Sequence, residues 1–261
     1  MVLCDKYDLI HTLRPWTKSW MVAASSTDFE PPIYTTEAPA TIASLPLIWS
    51  MHIAWEMGNE NLFAQKLGYL TDNVCIDDER HLVLKGNVRM DLETCYHLGP
   101  RDILETIRKR REWLIRVMLD RVNGEEKRRA GKISACAAPN TATEKEKEAC
   151  DIAILGSLWK KSLQLRGARF PEYYWRTGES VRSLYRSIQN IFAAVNGSES
   201  LVADHANCAP QVILPSYLQS AKAKLGSSLT EEHKQYLKAR RHKSRFTPVV
   251  GKERVTGTHF Q

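Results

Sequence analysis

One segment of this chain repeats its apolar residues with the period of an α-helix. From Val181 to Val195 they fall at positions i, i+3, i+4, i+7, i+10, i+11 and i+14, and Asn196-Gly197 follows as a stop. This spacing places all of them on one side of a helix. Such a side must be covered, so the segment predicts a helix that packs against other elements.

Weaker patterns of the same kind occur along most of the chain. Residues 47–55 and 62–70 flank Gly58-Asn59 and predict a helical hairpin. Long helices are predicted from Pro100 to Asn123-Gly124, with Arg108 to Arg111 on the polar side, and over residues 151–165, and a last helix is predicted after Leu229-Thr230-Glu231-Glu232. Two brief apolar runs around Asp77-Asp78 favour a small β-hairpin.

These patterns predict a mainly α fold: an irregular helical bundle with one small β-hairpin. The predicted organisation is a helix over residues 1–23, a loop rich in proline and small residues over 24–46, a helical domain over 47–233 and a basic, disordered tail over 234–261. No repeat of 30 to 45 residues is visible, which excludes a solenoid.

Composition predicts an intracellular protein, cytoplasmic or nuclear. The chain has 261 residues, 43% of them hydrophobic and 26% charged, an ordinary globular composition. No run of 18 apolar residues predicts a membrane span, and the first residues lack the pattern of a secretory signal. We therefore expect no membrane partner.

The net charge of +7 is located entirely in the C-terminal region. Only one acid, Glu253, lies among the eight basic residues of that region. These are Lys234, Lys238, Arg240, Arg241, Lys243, Arg245, Lys252 and Arg254. The rest of the chain is neutral, so any attraction to nucleic acid is expected from this tail, which is interpreted either as a solvated end or as a nuclear-import or nucleic-acid-binding arm.

Four residues form the candidate metal site: Cys136, Cys150, His205 and Cys208. His205 and Cys208 are separated by two residues, so one turn can present an imidazole and a thiolate to a tetrahedral ion such as Zn²⁺. Thirteen residues separate Cys136 from Cys150, far more than in a compact zinc knuckle. That gap favours separate, unmodified thiols, and a structural zinc site and a redox pair are the alternatives.

No local motif of an enzyme is present in the sequence. A glycine-rich phosphate loop, a Gly-x-Ser-x-Gly elbow and paired histidines on one helical turn are all missing. Cys95 and His97 are close in sequence but have no obvious further ligands. The tryptophans lie mostly in apolar periodic segments, where a role in the core is expected. We therefore predict a protein that is not an enzyme.

Two stretches of sequence resemble fungal proteins that contain a BTB/POZ domain. They are CDKYDLIHTLRPW at residues 4–16 and WSMHIAWEMGNENLF at residues 49–63. The resemblance extends more diffusely through residues 100–122 and 150–158 to His205 and Cys208. In that family the first stretch closes the BTB domain and the second opens the helical region that follows it, while residues 33–44 look like an insertion.

The resemblance implies the helical region after a BTB domain, with the BTB core itself largely missing. We expect such a chain to act without catalysis, as an adaptor-like or scaffold-like module that binds a protein partner of unknown identity. Its first helix would expose an apolar face that the loop over 24–44 or a second copy of the chain could cover. The alternative function is nucleic-acid association through the basic tail. A zinc-dependent hydrolase ranks last, because it needs an open metal site with a carboxylate base and the sequence identifies no such base.

Overall fold

The computed structural model describes residues 15, 16, 19, 20, 22, 24, 41–85, 89–95, 99–131, 133–136, 142–171, 173, 177–196, 208, 220, 222–224 and 229–244. The chain divides into two compact units. Unit 1 comprises residues 1–67, 97–100 and 229–261, and unit 2 comprises residues 68–96 and 101–228. The fold is mainly α, as predicted, with one small antiparallel sheet.

In unit 1, a left-handed glycine separates two helices. Helix α1 runs over Thr41–Met57 and α2 over Glu60–Asn73, the second half of α2 belonging to unit 2. Gly58 has a φ of +71°. Its amide donates to the Trp55 carbonyl at 3.2 Å and the Asn59 amide donates to the Ala54 carbonyl at 2.8 Å, which is a Schellman ending. The break between two helices predicted at Gly58-Asn59 is present.

Residues 41–46, which the sequence assigned to a loop, belong to α1. The prolines of that region favoured a loop, yet the helix begins just after Pro39. The helix predicted for residues 1–23 lies mostly outside the described residues. The predicted insertion over 33–44 is described only from residue 41 onward.

In the C-terminal region, α6 covers Glu231–Ser244, so the last helix predicted after Leu229-Thr230-Glu231-Glu232 is present and extends into the segment predicted as a disordered tail. Leu237 is fully buried, and the Ser244 hydroxyl donates to the Met57 carbonyl at 3.1 Å. A Cβ atom on Gly58 would overlap the Leu237 carbonyl oxygen and the Arg241 amide nitrogen, so α6 lies directly against the turn after α1. Residues 234–244 of the predicted tail therefore form a helix that packs on α1 through its buried side, and residues 245–261 lie outside the described part of the chain.

Aromatic side chains fill the core of unit 1. The Trp55 ring stacks on Tyr236 with a centroid distance of 4.5 Å and meets Phe63 at 5.1 Å. Trp49, predicted for the core, is 59% exposed, and Trp16 is 53% exposed. The periodicity that places Trp55 inside does not decide Trp49, because a short apolar run covers more than one side of its helix.

Unit 2 contains the sheet, in the order β1-β2-β3. Strands β1 (Val74–Ile76) and β2 (Leu82–Leu84) pair antiparallel, as the sequence predicts. A third strand, β3 (Met90–Asp91), pairs with β2 and continues into a 3₁₀ turn at Leu92–Thr94. With only two residues, β3 is too short for a period-2 pattern to be visible in the sequence.

Three long helices form the main core of unit 2: α3 (Ile103–Arg129), α4 (Glu144–Arg166) and α5 (Val181–Asn196). The apolar face predicted for α5 is buried, apart from half-buried Tyr185. Helix α4 starts seven residues before the predicted Asp151, where Thr143 and Glu146 form a capping box. None of the described helices has both the length and the apolar composition that crossing a membrane requires.

Helix α3 continues past Asn123-Gly124, where the sequence predicted its end. Two charged residues in this extra turn and a half are buried, Glu125 at 6% exposure and Arg129 at 5%. The Arg129 Nε donates to Glu125 Oε1 at 2.8 Å, an i,i+4 pair that fastens the final turn. Polar composition suggested a connection here, but tertiary contacts keep the segment helical.

Candidate metal centre

Three of the four predicted ligands meet at one point in unit 2. The Sγ atoms of Cys136, Cys150 and Cys208 all lie within 4.8 Å of one another, and those of Cys136 and Cys208 are 3.4 Å apart. Sulfurs bound tetrahedrally to zinc at about 2.3 Å are roughly 3.8 Å apart. The cluster therefore has the dimensions of three corners of a tetrahedral thiolate site, and it can hold a metal ion.

The fourth predicted ligand, His205, lies outside the described residues. It precedes Cys208 by three residues. Three thiolates with one imidazole are a common ligand set of structural zinc. The prediction for His205 stays a prediction.

Each sulfur comes from a different part of the chain. Cys136 lies in the irregular segment after α3, and Cys150 lies in the second turn of α4. Cys208 comes from the region after α5, where it is described but its neighbours in sequence are not. Cys150 and Cys208 are 8% and 2% exposed, and Cys136 is half-buried. A shared ion would cross-link three segments that are distant in sequence.

Burial, together with the adjacent sulfurs of Cys136 and Cys208, raises the pKa of the Cys150 thiol to about 12. A thiolate among other sulfurs in an apolar environment lacks both water and positive charge. A bound cation supplies that charge, so metal binding at this position must release the thiol proton.

An ion pair next to the sulfurs positions the ligand-bearing segments. Arg129 Nη1 lies 2.9 Å from Asp151 Oδ1, and the two side chains are only 1% and 4% exposed. The second oxygen of Asp151 accepts hydrogen bonds from the Ser134 hydroxyl at 2.6 Å and the Ala135 amide at 2.8 Å. Asp151 thereby anchors the segment that leads into Cys136, while its own neighbour in sequence is Cys150.

The same arginine holds the third segment. Arg129 Nη2 donates to the backbone carbonyl of Cys208 at 2.6 Å, and its Nε donates to Glu125. We call Glu125, Arg129, Ser134 and Asp151 the Arg129 network. Through it, one buried guanidinium connects the end of α3, the start of α4 and the Cys208 backbone.

Sequence reasoning did not identify the Arg129 network. The Glu125–Arg129 spacing is visible, but i,i+4 pairs are usually exposed on helix surfaces. Asp151 follows Cys150 directly, yet adjacency alone does not distinguish a buried anchor from a solvated acid. The missing signal was burial, which the neighbouring elements impose.

A second group of possible ligands lies in the turn between β1 and β2. The side chains of Asp77, Glu79 and His81 are close enough to share an ion. Asp77, however, already accepts the His81 amide at 2.8 Å and forms an ion pair with Arg89. Through these two contacts, Asp77 stabilises the turn.

The pair Cys95 and His97 does not form a site in the described residues. The Cys95 thiol donates to the Asp91 carbonyl at 3.5 Å, and His97 lies outside the described part of the chain. Cys95 is thus held by the 3₁₀ turn, as expected for a structural thiol.

No family model, no curated protein and no solved structure matches this chain. The resemblance to the helical region of fungal BTB/POZ proteins stays a prediction from the quoted residues. The site must accordingly be interpreted from its own geometry.

Proposed function

We propose that this chain is a non-enzymatic protein–protein interaction module, adaptor-like or scaffold-like, whose contact surface includes the solvent side of α4. The observation that carries the proposal is the exposure of Ile152 and Leu163 on this helix, at 62% and 52%. Gly156 and Trp159 lie between them at spacings of four, three and four residues, which is one face of a helix. We call these four residues the α4 stripe.

Helix α4 is apolar on two opposite sides. Ile154 and Leu158, on the side away from the α4 stripe, are 1% and 4% exposed and belong to the core of unit 2. A helix with apolar residues on both sides is normally covered on both sides. A partner that buries the α4 stripe would provide the second cover, and exposed apolar patches commonly mark such contacts.

The alternative is a tail that binds nucleic acid. Several basic residues of this tail form contacts within unit 1. The Arg240 guanidinium lies 3.6 Å from Glu56, and Arg241 Nε donates to the Gly58 carbonyl at 3.0 Å. Lys234 Nζ lies 2.6 Å from Glu231. Since Arg240 and Arg241 already have protein partners, phosphate binding would rest on the exposed Lys238 of α6 and on the basic residues beyond Ser244.

The interaction proposal is tested by charging the α4 stripe. We expect Ile152→Glu/Leu163→Glu to fold normally, because both side chains face solvent, and to lose the partners that crosslinking in cells recovers with the original chain. Leu165→Glu is the matched control: Leu165 is 55% exposed on the same helix but lies outside the stripe. Retention of every partner by the double variant would contradict the proposal.

The same samples distinguish the nucleic-acid alternative. Truncation must begin after Ser244, because earlier removal would destroy α6. Binding to DNA or RNA that weakens steeply with salt and disappears without residues 245–261 would support the alternative. Light scattering compares the molecular mass of the original chain with that of the double variant. A lower mass for the variant would mean that the α4 stripe binds a second copy of the chain, and an equal mass would mean that it binds a different partner.

The module includes a structural zinc ion, held by Cys136, Cys150 and Cys208, with His205 as the candidate fourth ligand. Thiolate donors suit this ion, and a closed site would cross-brace the segments around α3 and α4 rather than perform chemistry. We expect one zinc per chain in protein purified without added metal, and a lower unfolding temperature after treatment with a chelator.

Two variants and one control test the zinc proposal. Cys150→Ser and Cys208→Ser should lose the metal and the chelator effect, whereas Cys95→Ser should keep both because its sulfur belongs to the 3₁₀ turn. Cobalt substitution gives a direct readout, since thiolate coordination produces intense charge-transfer absorption. Protein without zinc whose stability does not respond to a chelator would contradict this part of the proposal.

A further inference from the structure

Two sulfurs of the cluster belong to segments outside the long helices of unit 2. Cys136 follows α3 in an irregular segment, and Cys208 lies in the region after α5. Their Sγ atoms are 3.4 Å apart, about 1.4 Å more than a disulfide bond of roughly 2.05 Å. A shift of about 1.4 Å in the position of the Cys136 sulfur would bring the pair to bonding distance.

Cys150 is less suited to pair with either sulfur. It lies inside α4, whose start is fixed by the Thr143–Glu146 capping box and whose Asp151 is held by Arg129. The Cys150 backbone is fixed in a packed helix, whereas the Cys136 backbone lies in a non-helical segment. Cys136 is also half-buried rather than buried, so a small oxidant reaches it first.

We infer that Cys136 and Cys208 form a reversible disulfide when a peroxide oxidises the metal-free cluster, so that the chain carries a thiol switch at this position. The Cys136 sulfur attacks one peroxide oxygen, and the other oxygen leaves as water with the thiol proton. The Cys208 sulfur then displaces the hydroxyl of the sulfenic acid as a second water. Two thiols lose two electrons and two protons, and one hydrogen peroxide becomes two waters.

The disulfide and the metal are mutually exclusive at these sulfurs. Both connect residues 72 positions apart in the chain, but a sulfur in a disulfide is no longer a thiolate ligand. This competition rests on the proposed zinc site, whereas the disulfide itself rests only on the geometry of the two sulfurs. Oxidation would therefore replace the cross-link through the metal by a disulfide cross-link and release the ion.

The test uses the full chain, freed of metal and treated with one equivalent of hydrogen peroxide. We expect a mass loss of about 2 Da, a Cys136–Cys208 crosslink in the peptide map, and recovery of both thiols with a dithiol reductant. Cys150→Ser should form the same crosslink, and Cys136→Ser should not. Zinc-loaded chain should react roughly tenfold more slowly.

Three results would overturn the inference: a crosslink to Cys150 in the original chain, sulfinic acid at Cys136 without any disulfide, or an unchanged mass. These outcomes are measured on the original chain, so they do not depend on whether a variant folds. If zinc never binds but the Cys136–Cys208 crosslink forms, the zinc proposal fails and the disulfide stands. If zinc binds and no crosslink forms after its removal, the inference fails alone.

Discussion

Two arginines on α3 are buried with opposite kinds of partner. Arg111 and Arg129 are separated by 18 residues, five full turns, so they lie on the same side of the helix. Arg129 forms ion pairs with Glu125 and Asp151. Arg111 donates to the backbone carbonyls of Val74 at 3.3 Å and Thr177 at 3.1 Å, and also to that of Glu179.

The difference shows what hydrogen bonds alone do for a buried charge. Carbonyl oxygens satisfy the N–H groups of Arg111 and join α3 to β1 and to the segment before α5, but they do not neutralise the guanidinium. Burial accordingly lowers the pKa of Arg111 to about 10. In the Arg129 network, the guanidinium is paired with carboxylates of opposite charge. Removal of one partner therefore leaves the buried charge of the other without compensation.

The largest effect is expected from Arg129→Met. Removing this side chain leaves the buried Asp151 carboxylate unpaired and the Cys208 carbonyl without its donor, so we expect a loss of about 3–5 kcal/mol in the free energy of unfolding. Urea denaturation measures it. Combining the change with Asp151→Asn should cost less than the two single losses together, and strict additivity would show that the pair is not coupled.

A smaller effect is expected from Arg111→Met. Three carbonyl groups lose a donor, but a desolvated charge is removed at the same time, so the expected loss is about 1–3 kcal/mol. Arg116→Met, an exposed arginine of the same helix, is the control and should change stability by less than about 0.5 kcal/mol. If Arg111→Met proves more destabilising than Arg129→Met, the comparison between the two sites is wrong.

The smallest effect should come from protonating Glu125, which keeps its side chain in place. Burial raises the pKa of Glu125, but hydrogen bonds and charge from Arg128 and Arg129 outweigh it and hold the pKa below the ordinary 4.5. The stabilisation is then fully present above pH 4.5 and is lost as the pH falls through the lower folded pKa.

Denaturation of the original chain and of Glu125→Gln from pH 7 downward checks this sign. The stability difference between the two should be constant at neutral pH and should shrink on acidification below the ordinary pKa of glutamate. A difference that grows as the pH falls would mean that Glu125 is destabilised as an anion, contrary to its contacts with Arg128 and Arg129.

Local sequence predicted the elements with strong periodicity. The face of α5, the helix break at Gly58-Asn59 and the strands β1 and β2 follow from apolar spacing and from a glycine with a positive φ. The predicted end of α3 at Asn123-Gly124 was wrong. The helix continues past this dipeptide because the contacts of Arg129 stabilise its final turn. The C-terminal residues 234–244 appeared as a charged tail, although Leu237 and Ser244 are buried against unit 1.

The sequence also identified Cys136, Cys150 and Cys208 as residues of one chemistry, but the 13-residue gap argued against their meeting. Their proximity depends on Asp151 and Arg129, which join the segments from outside the ligand set. No rule of sequence spacing predicts metal ligands whose positions depend on an ion pair between residues outside the ligand set.

By itself, the sequence determined where the strongly periodic segments form helices and which residues can bind a metal, because both follow from side-chain type and short-range spacing. Only the tertiary structure decided which charges are buried. Arg111 and Arg116 have the same side chain on one helix, yet one is 1% exposed and the other faces solvent. Burial depends on elements that arrive from elsewhere in the chain, and so does the convergence of the three sulfurs.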